Sequence, residues 1–202
     1  MHKVFQDLTS KYAEEHRSYH NLAHIDRLLR LHSDCVAIDD EIVMAIWFHD
    51  AIYDPKAKHN ERLSADFFLS EFSLYVWDDF SREVERLIMA TDPTRARRGT
   101  NREDLMIDLD RSILGAEPAE YLEYSLAIRK EYDFVADSAF CLGRSKILRY
   151  FLSQDIFLTD HFKHLEKQAR TNLEQELERL EFGRNGSESD VGFRTLVGAH
   201  TN

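Results

Sequence analysis

The chain has 202 residues with only 7 Gly and 3 Pro, less than half of the roughly 12% these two supply on average, and that shortage excludes a turn-rich all-β sandwich or barrel. A composition 43% hydrophobic and 11% aromatic excludes wholesale disorder. With 26 Lys and Arg against 37 Asp and Glu, the net charge of −11 excludes a basic grip on a nucleic-acid polymer or an anionic membrane, but leaves open a small phosphorylated partner held through a metal.

Apolar residues recur at helical spacing in chain order. Val4, Phe5, Leu8 and Tyr12 predict a first helix, and Leu22, Ile25, Leu28 and Leu29 a second. Asp39-Asp40-Glu41 supplies acids for a third N-terminus; Ile42, Val43, Ile46 and Trp47 follow, and the helix is expected to run to about Tyr53, where Pro55 stops it. Further helices are predicted over 60–74, 80–91, 102–114, 118–135, 138–153 and 160–181. The expected architecture is all-α, a single globular helical bundle over 1–182 with a loose Gly/Ser-rich tail over 183–202. Cys35 and Cys141 are too few for a disulfide scaffold and read as two buried thiols. The N-terminus has no apolar core of signal-peptide length, and no run of about 18 apolar residues occurs, so a cytoplasmic protein is expected. Phe67, Phe68 and Phe72 read as exposed aromatic surface and suggest a homodimer.

The chemistry-bearing residues cluster early. His16, His20 and His24 stand at i, i+4 and i+8, which places them on one face of a helix, and two imidazoles on one face can serve one metal. His49-Asp50 is the only His-Asp dipeptide, set among Ala45, Ile46, Trp47, Ile52 and Tyr53 at helical spacing. Such a pair needs a partner or a metal to offset desolvation; a buried His–Asp hydrogen bond is the plainer reading. A further acid comes from Asp110, with Met106, Ile107, Ile113 and Leu114 around it, whereas Asp108 has Asp104, Leu105, Arg111 and Ser112. A carboxylate on an apolar stripe needs a cation, which favours Asp110 over Asp108.

The order His, His-Asp, Asp on three helices resembles the HD superfamily of metal-dependent phosphohydrolases. Tyr19-His20-Asn21-x-x-His24 followed by Phe48-His49-Asp50 is also similar to the start of the cyclic-nucleotide phosphodiesterase catalytic domain. Carried over by position, the resemblance implies an HD-type helical domain in which His20 is the general acid. It also implies His24, His49, Asp50 and Asp110 as metal ligands, the last within Leu109-Asp110-Arg111-Ser112. To about residue 180 the chain is similar to a bacterial group of predicted HD phosphohydrolases. The shared segments are Asn60-Glu61-x-x-Ser64-Ala65, Asp110-x-x-Ile113-Leu114-Gly115, Ile128-Arg129-x-Glu131-Tyr132 and Glu166-x-x-Ala169-Arg170-x-Asn172-Leu173. Two departures stand out. Asp92-Pro93 follows Thr91 where a histidine is expected, and the H-D-I-G-K and G-Y-P elements of cyclic-di-GMP hydrolases are missing.

The expected activity is hydrolysis of a phosphate ester, with nucleotides among the substrates. His and carboxylate ligands together suit Mn²⁺, Fe²⁺, Co²⁺, Ni²⁺ or Zn²⁺, with Mg²⁺ at a second site and Asp50 able to bridge. Glu61 is a candidate to orient water, and Lys56, Lys58 and Arg97 are candidate phosphate contacts. Arg95, Arg97 and Arg98 make the Asp92–Thr100 segment a candidate anion-attracting flap. Pro55, the Pro93 and Gly99 pair, and the Gly115 and Pro118 pair are expected at the rim of the site. The alternatives are a non-catalytic nucleotide- or metal-sensing module, or a helical scaffold around a buried His–Asp network.

Overall fold

The computed structural model describes residues 2–35, 39–72, 78–95 and 99–186. Nine α-helices and no strand occur among the described residues. They are α1 (His2–Tyr12), α2 (Leu22–Cys35), α3 (Asp40–Phe48), α4 (Asn60–Phe72), α5 (Asp78–Ala90), α6 (Asn101–Arg111), α7 (Pro118–Glu131), α8 (Asp137–Leu152) and α9 (Glu166–Gly186). Short 3₁₀ turns cover Ser112–Gly115, directly after α6, and Lys163–Leu165, directly before α9. The fold is all-α, as expected. Residues 183–186 continue α9 rather than beginning a tail, and 187–202 lie outside the described residues.

α3 is the most apolar helix and packs against α2, α4, α5 and α6, so it is enclosed rather than amphipathic. Asp39 caps its N-terminus by accepting the Ile42 amide proton, and Thr100 does the same for α6 through the Glu103 amide. The Phe48 ring meets Phe67, Phe68 and Phe72 at centroid distances of 5.6, 5.2 and 5.7 Å. Phe68 and Phe72 are therefore core, not surface, which removes the aromatic patch that had suggested a homodimer. Of the two cysteines, Cys141 is buried as expected and Cys35 only partly so.

The far side is built by α7, α8 and α9. Arg144 of α8 donates from Nε to Glu176 Oε1 of α9 at 2.8 Å, both side chains nearly buried, and the Tyr121 hydroxyl of α7 donates to the same carboxylate. Asn172 Nδ2 donates to the carbonyls of Leu114 and Ala116 at 2.9 and 2.8 Å, pinning α9 to the turn after α6. A Cβ on Gly115 would stand 2.6 Å from Leu165 Cβ, so this buried glycine permits the close approach of the two 3₁₀ turns instead of marking a rim. No helix among the described residues is long and apolar enough to cross a membrane.

Two departures from the expected helices matter for the site. α3 ends at Phe48, before Pro55 and short of Tyr53, because tertiary partners take the backbone groups that would continue it. Arg17 donates to the carbonyls of Asp50 and Ala51 at 2.7 and 3.0 Å. Ser64 Oγ bonds both the amide and the carbonyl of Ile52, and Asn60 Oδ1 accepts the Asp54 amide. The stretch carrying His16 and His20 is likewise turn, not helix, because Glu131 Oε1 accepts the amides of Tyr19 and His20 at 2.7 and 3.0 Å. α2 starts only after Asn21, whose Oδ1 caps the Ala23 amide. The i, i+4, i+8 histidine stripe on one helix therefore does not exist.

Candidate functional site

Three elements converge. His24 lies in the first turn of α2, His49 caps the C-terminus of α3 with Asp50 next to it, and Asp110 is in the last turn of α6. His24 Nε2 stands 3.2 Å from His49 Nε2 and 3.4 Å from Asp110 Oδ1, and His49 Nε2 stands 3.6 Å from the same oxygen. Asp50 Oδ2 closes the group at 3.0 Å from His49 Nε2 and 3.8 Å from His24 Nε2. Ligand atoms held about 2.0–2.2 Å from one ion stand about 3.0–3.6 Å apart, a range that takes in every one of these separations but the 3.8 Å between Asp50 and His24. The trio His24, His49 and Asp110, with donor atoms within 4.8 Å of one another, could hold a metal ion.

Donor chemistry agrees with that geometry. His49 Nδ1 lies 2.9 Å from the Ile46 carbonyl oxygen, which only accepts, so Nδ1 carries the proton and Nε2 presents its lone pair to the group when the ring is neutral. Two Nε2 atoms face to face at 3.2 Å then need a cation, or a proton, between them. No family model, curated protein or solved structure matches this chain. The side-chain geometry therefore carries the functional reading alone.

The carboxylates and imidazoles of the group shift one another's titration. Burial opposes ionisation of Asp50 and Asp110, yet the imidazoles beside them hold both carboxyls well below the usual range. His24 is pushed down, mainly by burial. His49 is held well above its ordinary value although burial alone would lower it, because Asp50 and Asp110 both face it.

His20 reaches the group from the preceding loop, its ring centroid 6.1 Å from that of His24. Its Nδ1 lies 2.6 Å from Glu131 Oε2, and its ring stacks on Tyr53 at 4.2 Å. The Tyr53 hydroxyl donates to the same Glu131 oxygen at 2.8 Å. Burial works against charge on His20, but Asp50 and Glu131 outweigh it and raise its pKa. Glu131 in turn is drawn down to about 2 against its burial, by His20 and by the two amides it accepts.

The remaining candidates separate. Glu61, in the first turn of α4, is half-buried, and burial followed by the charges of Asp92, Asp50 and Asp110 raises its pKa. Lys56 lies over the Phe134 ring at 4.8 Å, and Lys58 is exposed in the turn before α4. Arg97 and Arg98 lie outside the described residues. Arg95 lines a cavity of about 400 Å³ between α4 and α5 with Arg62, Arg82 and Arg86, where Glu83 and Glu85 already pair Arg86 and Arg62. His16 bonds the Tyr53 carbonyl and is not in the metal group.

Asp108 reverses the burial expectation. It is fully buried and accepts from the Leu158 amide, the Thr159 amide and Thr159 Oγ1, whereas the Asp110 side chain is 32% exposed. Helical spacing misjudged them because residues 156–159 fold over Asp108. Glu131 and Arg17 are the site residues whose roles sequence reasoning missed. Glu131 lay inside a shared segment without an assigned role, and an arginine that caps carbonyls has no spacing signature.

Proposed function

We propose that the chain is a metal-dependent phosphohydrolase that cleaves a phosphate ester of a small substrate, with nucleotides among the candidates. The observation that carries this is the convergence of two imidazole nitrogens and two carboxylates from three elements, beside a histidine held by a buried glutamate. Nitrogen and oxygen donors together suit Mn²⁺, Fe²⁺, Co²⁺, Ni²⁺ or Zn²⁺, held by His24, His49, Asp50 and Asp110. When bound, such an ion supplies Lewis acidity toward water and offsets charge on phosphoryl oxygens.

The chain's own groups do the rest. Glu131 takes the Nδ1 proton of His20 into a short hydrogen bond, so the proton that His20 gives away is the one at Nε2. The raised pKa favours the protonated ring, the form that has a proton to give to a leaving oxygen. Tyr53 stacks on the ring and bonds the same glutamate, which fixes the imidazole plane. Glu61, half-buried in the first turn of α4, is assigned to orient water.

The test is a panel of phosphomonoesters, nucleotides and cyclic nucleotides on protein reconstituted with Mn²⁺ or Co²⁺. Release of phosphate or nucleoside, lost in His20→Ala with the metal retained, is the expected result. Stoichiometric metal without turnover on any member points instead to the sensing module. A preparation that takes up no metal overturns the reading.

A further inference from the structure

Two buried donors beside the metal group have no acceptor among the described residues, the hydroxyl of Tyr19 and Nε of Arg27. Their positions are linked. The Tyr19 ring lies 4.9 Å from the His24 ring and 4.6 Å from that of Tyr124 on α7. Arg27 follows His24 by three residues on α2, on the same face, and its Nη1 pairs with Glu120 on α7. Glu120 and Tyr124 are one helical turn apart, so Tyr19 and Arg27 lean on successive turns of one face of α7, with His24 beside both.

A third donor joins them. The Tyr124 hydroxyl accepts from both terminal nitrogens of Arg144, at 3.4 and 3.3 Å, which leaves its own proton to be given elsewhere. Arg144 is buried and charged, and a hydroxyl bonded to a cation is the stronger donor for it. Leaving buried donors unpaired is costly, and two of them beside a hydroxyl whose own proton is still to be given call for an acceptor that arrives from outside.

We propose that Tyr19, Arg27 and Tyr124 form an anion-recognition wall that receives phosphoryl oxygens of a phosphate monoester. This rests on the metallohydrolase reading for the placement of the phosphorus. A diester has two non-bridging oxygens and a monoester has three, so a metal together with three donors matches the monoester better. Among the described residues no group accepts from the Tyr19 hydroxyl, so Tyr19→Phe removes a donor without stranding a partner there.

The test is calorimetric titration of the full-length Mn²⁺-loaded chain with inorganic phosphate, for the wild type, Tyr19→Phe and Arg27→Met. A hydrogen bond to a charged group is worth enough that each substitution should weaken phosphate binding at least about tenfold. Manganese stoichiometry should be unchanged, and the melting temperature of Tyr19→Phe unchanged or higher. Wild-type phosphate affinity in both variants overturns the wall, as does a manganese-loaded wild type that binds no phosphate. A Tyr19→Phe variant that melts lower while binding phosphate normally also overturns it, by showing the hydroxyl to be structural. If the wild type takes up no manganese, the metallohydrolase reading fails separately. The metal-free titration then decides the wall: phosphate binding weakened in both variants sustains it, and no binding overturns it. With p-nitrophenyl phosphate and bis(p-nitrophenyl) phosphate as probes, the monoester should have the higher kcat/KM, and the reverse order overturns the monoester assignment.

Discussion

Asp108 satisfies two backbone amides and a hydroxyl of the 156–159 segment, while Asp110, two residues on, faces two imidazole nitrogens with a third of its side chain open. The two carboxylates should therefore fail differently when removed. Asp108→Ala leaves three donors unpaired and should cost about 2–4 kcal/mol, with metal content unchanged in the folded fraction. Asp110→Asn should bind little metal and melt, in metal-free form, close to the wild type. Elemental analysis and thermal melts on both variants check this. Glu131 gives a pH test. Its pKa of about 2 in the folded chain lies below the ordinary 4.5, so its contribution is full above pH 4.5 and is lost as pH falls toward 2. Acid unfolding of the metal-free protein should show a loss of about 3 kcal/mol across that window, largely absent in Glu131→Gln.

Arg17 and Ser64 set where α3 stops, and with it where Asp50 points. Arg17→Met leaves the carbonyls of His20, Asp50 and Ala51 without their donor and should lower metal affinity about 10–100-fold, read by metal titration. Ser64→Ala should be milder, about 1–2 kcal/mol in stability, since it frees one amide and one carbonyl of Ile52. Element existence was legible because the apolar spacing of Ile25 and Leu28, or Val84, Leu87 and Ile88, is local and survives in the core, although Leu22 of the same pattern is exposed. Element ends near the site were not. The amides of Tyr19 and His20 bind a carboxylate more than a hundred positions away, and no local pattern announces such a partner. The types and order of His24, His49, Asp50 and Asp110 singled out residues that the fold brings together. Asp110 was favoured over Asp108 for a reason the burial contradicts, since tertiary cover and not the helix face decides which of the two is enclosed.

At the scale of the molecule, a buried ion pair locks α8 to α9, and Asn172 together with the missing side chain of Gly115 seats the start of α9 on the turn after α6. Arg144→Met strands the Glu176 carboxylate in the interior and should cost about 3–5 kcal/mol, seen in chemical denaturation. Gly115→Ala forces a methyl to within 2.6 Å of Leu165 Cβ and should cost about 1–3 kcal/mol.

The bond from Glu131 back to Tyr19 and His20 spans 112 and 111 positions. During synthesis the loop bearing His20 emerges early and waits for most of the chain before its carboxylate partner exists. Of the candidate ligands, His24, His49 and Asp50 are out long before Asp110, so under the proposed function a half-made chain carries two imidazoles and one carboxylate before the site is whole. The carboxylate of Glu131 comes later still, so the loop bearing His20 is fastened only once the first two-thirds of the chain has been made.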